Sequence, residues 1–278
     1  MLNVLMRAIA VLPLRALHAV GALLGWLVYF VSPTYRRHLR ENLAAAGYQD
    51  AAVRHAAIAA AGKMVSELPA IWFRPRAALL ARVHGIEGES HIEAARAAGK
   101  GVIFLTAHLG CFEVTAQLAA TRMPITVLYR PPKQDFLQPL IEQGRAQHNV
   151  RLAPASLGGV RELIAALKRG EAVGILPDQV PSAGEGAWAD FFGRPAYTMT
   201  LAIRLAARAD SVTLLAFGER LPRGAGYVVH VRPMPAQRPD ESPARWLNRA
   251  LEDLIRSHPG QYLWGYNRYK TPRGAARA

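Results

Sequence analysis

The stretch GVIFLTAHLGCFEV, residues 101–114, decides the fold class. Its first half, Gly101 to Ala107, is a short apolar run of the kind that forms a buried β-strand. A helical stretch begins at about Cys111, after a glycine that suits a tight turn. The segment therefore predicts a strand that leads directly into a helix.

Strands and helices alternate through the rest of the chain. Further strands are predicted at ITVLY (125–129), AVGIL (172–176), SVTLLAF (211–217) and GYVVHV (226–231), with helices at 134–148, 159–169, 242–256 and from an Asp50 cap to about Phe73. Such alternation favours a largely parallel sheet with helices on both faces. We expect an α/β fold with a central, mostly parallel sheet flanked by helices and preceded by a hydrophobic N-terminal helix.

Composition limits the class of protein. A chain of 278 residues is long enough for one sizeable α/β domain, and 51% hydrophobic against 19% charged residues exclude wholesale disorder. The formal net charge of +14 predicts attraction to an acidic partner: nucleic acid, an anionic membrane surface or an acidic protein. The single cysteine, Cys111, permits no intrachain disulfide.

The N-terminus is the most apolar part of the chain. From Ala16 to Val31 the one polar side chain is His18, and basic residues follow at 36, 37 and 40. We predict a membrane-anchoring helix over residues 1–31, with a single catalytic domain over 32–278 on the cytoplasmic side. The run is shorter than the roughly 20 residues of a span. Spanning, half-immersed and buried core positions for this helix all stay open.

His108 and Glu113 are the candidate catalytic pair. His108 follows the buried strand, at the carboxyl end where open α/β sheets place their ligands, and Glu113 falls in the first turn of the next helix. Glu113 is expected to fold back and accept the imidazole N–H, which would set the tautomer and stabilise the imidazolium. The other ring nitrogen would then act as a general base on a substrate hydroxyl.

Five segments carry a family resemblance. They are AHLGCFE (107–113), LYRPP (128–132), LPDQ (176–179), FFGRPAYTMT (191–200) and QYLWGYNRYK (261–270). In this order they resemble the lipid A acyltransferases, the late acyltransferases of Gram-negative lipopolysaccharide synthesis within the lysophospholipid acyltransferase group. The resemblance covers most of the chain, including the N-terminal anchor.

The resemblance implies a glycerolipid acyltransferase-like fold with His108 and Glu113 as the catalytic dyad. The acyl donor would be an acyl carrier protein, whose acidity agrees with the basic chain, and the acceptor a hydroxyl of a lipid A precursor. The enzyme would work at the bacterial inner membrane, with its catalytic domain on the cytoplasmic side. No metal or redox cofactor is implied, because the thioester is already activated.

Four further residues are expected to bind substrate. Arg130 lies just past the 125–129 strand, at the same sheet edge as His108, and could donate to the thioester oxygen or bind a phosphate. Asp178 and Gln179 follow another strand at that edge. Arg194 lies in a loop with Trp188, Phe191 and Phe192, which would suit acyl chains or the membrane interface if exposed.

Several alternatives stay open at this point. Gly265, Tyr266 and Asn267 depart from the family pattern, so the acceptor could instead be a lysophospholipid or another glycolipid or aminolipid. Thiol catalysis by Cys111 competes with the dyad, although an apolar neighbourhood favours a buried filler. Dispersed basic residues and the absence of a binding motif argue against a nucleic-acid-binding protein, and an inactive membrane scaffold leaves the ordered motifs unexplained.

Overall fold

A computed structural model describes residues 2–132 and 134–276. Its strands are β1 (Val83–Glu87), β2 (Gly101–Leu105), β3 (Ile125–Tyr129), β4 (Val150–Pro154), β5 (Ala172–Ile175), β6 (Gly186–Phe191), β7 (Arg194–Met199), β8 (Ser211–Arg220) and β9 (Tyr227–Pro233). Seven of them form one sheet in the order β1-β9-β8-β2-β5-β3-β4, and β6 and β7 form a separate hairpin.

The sheet is mostly parallel, as predicted. Strands β8, β2, β5, β3 and β4 run in one direction. Strand β9 pairs antiparallel with β8, and the edge strand β1 pairs parallel with β9, so β1 and β9 run the opposite way. The central strand β2 is buried along its whole length, because neighbouring strands and both helical layers cover it.

The helices are α1 (Leu2–Ala10), α2 (Leu14–Val31), α3 (Pro33–Ala45), α4 (Ala51–Ser66), α5 (Leu68–Phe73), α6 (Arg76–Leu80), α7 (Glu89–Ala97), α8 (Phe112–Ala119), α9 (Gln138–Arg145), α10 (Leu157–Lys168), α11 (Leu201–Ala206) and α12 (Pro243–Ser257). They cover both faces of the sheet. On β2, Ile103 and Leu105 pack with α10 and α12, whereas Val102 and Phe104 pack with α7 and α8. The predicted α/β fold is confirmed.

The long helix expected from Asp50 to Phe73 is two helices. Its start is confirmed, since Ala52 N–H donates to the Asp50 carboxylate at 2.9 Å. The helix ends at Ser66 and a new one begins at Leu68, with Pro69 in its first turn. The break lets the side chain of Glu67 turn into the core, where Arg220 binds it.

Helix α2 packs against α4 along one face. Its buried residues are Leu14, Leu17, His18, Gly21, Gly25 and Tyr29. The backbones approach so closely that a Cβ on Gly62 of α4 would overlap the carbonyl of Gly21. The polar side chain of His18 is satisfied by Glu67, 3.0 Å away. One face of the predicted anchor therefore belongs to the core of the domain that follows it.

The opposite face of α2 is apolar and exposed. We call this surface, together with the exposed apolar residues of α1 and the short link between them, the N-terminal apolar face; it comprises Val4, Leu5, Val11, Leu12, Val20, Leu23, Leu24, Leu27, Val28, Phe30 and Val31. Within the described residues, α2 is the one helix long and apolar enough to cross a membrane.

Candidate active site

Three adjacent strand ends build the site. Strands β2, β5 and β3 are neighbours and parallel, so their carboxyl ends meet at one edge of the sheet. His108 follows β2, Gln179 follows β5 and Arg130 follows β3, and all three line one cavity together with Glu113. The cavity has a volume of about 290 Å³. Most of the remaining wall is apolar and includes Phe104, Ile125, Val127, Leu128, Val150 and Leu152.

Asp178 holds the imidazole of His108. The Nδ1 atom of His108 lies 2.8 Å from Oδ1 of Asp178, and the backbone N–H of His108 donates to Oδ2 at 2.8 Å. Asp178 is only 2% exposed. Burial alone would raise the pKa of this carboxyl, but the facing imidazole, its two hydrogen bonds from His108 and the charge of Arg268 lower the pKa below the usual value. Asp178 is therefore an ionised acceptor.

Gln179 lies on the other side of the His108 ring and favours the tautomer that carries its proton on Nδ1. Its amide Nε2 lies 3.2 Å from Nε2 of His108. An ionised Asp178 requires the proton on Nδ1, which leaves a lone pair on Nε2 to accept the Gln179 N–H. The basic nitrogen of His108 is thus the one next to Gln179, in the wall of the cavity.

The turn that carries His108 is fixed by its backbone. Gly110 has φ +57°, and a Cβ there would overlap the carbonyl of Gly218, so this position requires glycine. The N–H of Gly110 donates to the carbonyl of Gln261 at 3.1 Å, and Leu263 N–H donates to the carbonyl of His108 at 3.0 Å. The C-terminal segment therefore supports the histidine turn directly.

Glu113 does not bind the imidazole. Its carboxylate accepts from Nε1 of Trp72 at 3.1 Å and from Nε of Arg145 at 2.9 Å, with Nη2 of Arg145 also bonded. The predicted hydrogen bond between Glu113 and His108 is wrong, because Asp178 already accepts the hydrogen bond from Nδ1 of His108. Glu113 instead forms a charged pair on the cavity wall, where its side chain is 8% exposed.

Arg145 and Trp72 are site residues that the sequence did not reveal. Arg145 ends α9 and Trp72 lies in α5, so they are 32 and 41 positions from Glu113. The Cζ atom of Arg145 lies 5.6 Å from the centre of the Trp72 ring, a cation–π distance. No local spacing links these three residues, so the sequence offers no signal that would have found this contact.

Cys111 is buried beneath this turn. The thiol is 2% exposed, and burial raises its pKa well above the ordinary value. A thiol that stays protonated is a poor nucleophile. The structure therefore favours Cys111 as a small core residue over the thiol-catalysis alternative.

Arg194 lies away from this cavity. The expected loop around it is the β6–β7 hairpin, in which Asp190 to Phe191 pair with Arg194 to Pro195. Phe191 and Phe192 are buried, so they pack the hairpin instead of facing acyl chains. The guanidinium of Arg194 is exposed and stacks on Tyr269, with Cζ 4.0 Å from the ring centre. It is not among the cavity-lining residues.

Comparison with known proteins shows the family to which the chain belongs. The family model described as bacterial lipid A biosynthesis acyltransferase matches residues 1–271, so the chain belongs to that family and is an acyltransferase. Over 218 residues it is 28% identical to a lipid A biosynthesis lauroyltransferase of Escherichia coli (strain K12), covering 77% of this chain and 70% of that protein. Over 213 residues it is 26% identical to a lipid A biosynthesis palmitoleoyltransferase of the same organism, covering 76% and 69%.

Proposed function

We propose that this protein is a membrane-bound O-acyltransferase that moves a fatty acyl chain from acyl carrier protein to a hydroxyl of a lipid A precursor. The observation that carries the proposal is the position of His108 between buried Asp178 and the apolar cavity, from which its tautomer follows. Its Nδ1 proton is held by buried Asp178, and its basic Nε2 lies in the wall of an apolar cavity. A base beside apolar space suits the deprotonation of a hydroxyl next to an acyl chain.

The proposed reaction is a direct transfer. The acceptor hydroxyl displaces the Gln179 N–H from Nε2 of His108, and Nε2 takes its proton as the oxygen attacks the thioester carbonyl. The tetrahedral intermediate then collapses, the C–S bond breaks, and the thiolate leaving group receives the proton from Nε2. Asp178 stabilises the imidazolium formed between these two steps.

Glu113 is the second catalytic group of the proposal, acting through charge. Its carboxylate binds Nε and Nη2 of Arg145, which leaves Nη1 outside this pairing. Held in this way, Arg145 keeps a cation on the wall that His108 also lines. A fixed cation at that point would stabilise the oxyanion of the intermediate. The pair would therefore be His108 and Glu113 as in the sequence prediction, with Asp178 as the partner of His108 and Arg145 as the partner of Glu113.

Polar and apolar residues of the cavity are proposed to bind different parts of the substrates. Arg130 is exposed and lines the cavity, so it is suited to a phosphate of either substrate. The apolar residues of the wall are suited to an acyl chain, which gains about 0.8 kcal/mol per buried CH₂ group. Asp178 is proposed to orient His108 instead of binding substrate.

The N-terminal apolar face is proposed to lie in the inner membrane surface. One side of α2 is tied to the domain through His18, which binds Glu67 of the buried Glu67–Arg220 pair, so lipid cannot surround this helix on all sides. The other side exposes Leu23 and Val31, each 71% accessible. Arg36 and Arg37 follow directly and suit anionic headgroups. An interfacial helix with a cytoplasmic catalytic domain fits this division better than a spanning one.

An acyl-transfer assay tests the proposal. Purified full-length protein would be incubated with an acyl–acyl carrier protein and, in separate reactions, with a lipid A precursor or a lysophospholipid, and the products measured by mass spectrometry. The proposal expects one acyl chain added to the lipid A precursor. Addition to the lysophospholipid alone would replace the acceptor, and transfer from acyl-coenzyme A but not from the carrier protein would replace the donor.

A further inference from the structure

Two histidines and a glutamate converge at a second place in the fold. Glu219 of β8, His230 of β9 and His258 at the end of α12 each offer one ligand atom, and these atoms all lie within 4.8 Å of one another. None of the three residues lines the cavity that contains His108. We propose that this cluster binds a divalent transition-metal ion of the zinc type, which clamps the C-terminal segment onto the sheet.

The spacing of the donor atoms fits a small tetrahedral ion. Oε2 of Glu219 is 2.8 Å from Nε2 of His230 and 3.5 Å from Nε2 of His258. Bonds of about 2.0–2.1 Å in tetrahedral geometry place ligand atoms about 3.3 Å apart. The two distances lie on either side of that value, so small side-chain rotations would complete the ligand triangle and leave a fourth position for water.

Both imidazoles present the same nitrogen to the centre. Nε2 of each faces Glu219, while Nδ1 of His258 lies 3.1 Å from the hydroxyl of Ser257. Nδ1 of His230 is buried and has no aligned hydrogen-bond partner in the described chain, but Oε2 of Glu87 lies 2.8 Å away. An oxygen beside the second ring nitrogen is the usual outer support of a metal-binding histidine.

The ring of His230 is also held in place. It stacks on Phe217, its cross-strand neighbour, with ring centres 4.6 Å apart and an angle of 9° between the planes. Its side chain is 8% exposed, against 22% for Glu219 and 25% for His258. The cluster is thus a fixed inner ligand with two more accessible ones at the surface, which gives an ion a way in.

The position of the cluster predicts what the ion would do. It would join β8 and β9 to His258, the residue directly after α12, which is followed by the turn Pro259–Gln261. The carbonyl of Gln261 accepts from Gly110 in the histidine turn, and its side chain bonds both backbone groups of Arg220. A bound ion would therefore stabilise the segment that supports His108, without taking part in acyl transfer.

Metal titration of the full-length, untagged protein tests the proposal. After removal of metal by a chelator, Zn²⁺ and Co²⁺ would be added, with binding followed by calorimetry and by the visible absorption of tetrahedral Co²⁺. We expect one equivalent bound, a tetrahedral Co²⁺ spectrum and a higher Tm with Zn²⁺. His258→Gln and His230→Gln should each weaken binding at least a hundredfold, and Glu87→Gln by roughly 10–100-fold.

Two comparisons make the test decisive. His91→Gln, which changes an exposed imidazole on α7, should bind like wild type. His258→Gln is the more dependable ligand variant, since its side chain is partly exposed and its loss should leave the fold intact. Equal binding by His258→Gln and His91→Gln, or no stoichiometric binding by wild type, would overturn the proposal and leave a hydrogen-bonded cluster.

Discussion

His108 and Asp178, 70 positions apart in the chain, form a two-point contact in which one carboxylate binds both the imidazole and the backbone N–H of the histidine. The carboxylate thus fixes the ring and the turn that carries it. This contact makes Asp178 the group that orients the proposed base, the role that the sequence pattern assigned to Glu113.

Asp178→Asn tests that role. The amide keeps the size of the side chain, but it cannot balance the charge of an imidazolium and can present its NH₂ group to Nδ1. We expect kcat for acyl transfer to fall by roughly 10²–10⁴-fold, with a smaller change in KM. Single-turnover kinetics with saturating donor would measure it. Unchanged kcat in a folded Asp178→Asn protein would remove Asp178 from the mechanism.

His108→Ala should remove the base itself. The expected loss is again about 10²–10⁴-fold, since general-base assistance is usually of that size. Cys111→Ser is the matched control from the same turn, because its buried thiol is held protonated. Thiol catalysis would show the reverse pattern, with activity lost in Cys111→Ser.

Glu113→Gln and Arg145→Met test the charged pair on the cavity wall. Each should lower kcat by about a hundredfold, and the double variant should lose little more, because Glu113→Gln frees from its position the same cation that Arg145→Met removes. The double-mutant cycle would be run on kcat/KM alongside thermal melting. Losses that multiply in the double variant would show that the two residues act separately.

The N-terminal apolar face allows membrane binding to be tested separately from folding. Replacing exposed Leu23, Leu27 and Val31 by serine should move the protein towards the soluble fraction while leaving its Tm in detergent nearly unchanged. Deleting residues 1–31 should also destabilise the domain, because it removes buried Leu14, Leu17 and His18. Flotation with anionic vesicles measures the first effect. Full membrane binding by the triple variant would contradict the proposed surface.

The buried carboxylate of Glu67 predicts how the free energy of unfolding changes in acid. Burial alone would raise the pKa of Glu67, but Arg220 and His18 bind the carboxylate and lower the pKa from 4.5 to about 2. A lowered folded-state pKa adds stability that is fully present above about pH 4.5 and is lost as the pH falls towards 2. The free energy of unfolding should therefore fall in this window for wild type.

Glu67→Gln should flatten that dependence and cost about 3–5 kcal/mol near neutral pH, because it leaves Arg220 buried without its partner. Glu41→Gln is the control, since Glu41 and Arg37 form an ion pair with side chains 53% and 65% exposed. Its effect should stay within about 0.5 kcal/mol. Denaturant unfolding between pH 2 and pH 7 measures both. Parallel curves for wild type and Glu67→Gln would contradict the assignment.

Local sequence was a reliable guide to the type of fold. The apolar run at 101–105 and the strand at 125–129 lie where the pattern predicted them, because strand and helix periods are set by neighbouring residues. The elements that the pattern did not predict include strands β1 and β4, helix α7 and the β6–β7 hairpin, which was expected to be a loop. Strand β1 is mostly exposed at an edge, so its residues show little apolar alternation.

The sequence by itself determined a mostly parallel α/β sheet, an apolar N-terminal helix and a histidine at the carboxyl end of a buried strand. Only the tertiary structure decided that Asp178 orients His108, that Arg145 and Trp72 hold Glu113, and that one face of α2 is core. The reason is physical: each of these contacts joins segments that are distant in the chain, and their side chains meet only where parallel strands bring separate loops to one edge of the sheet.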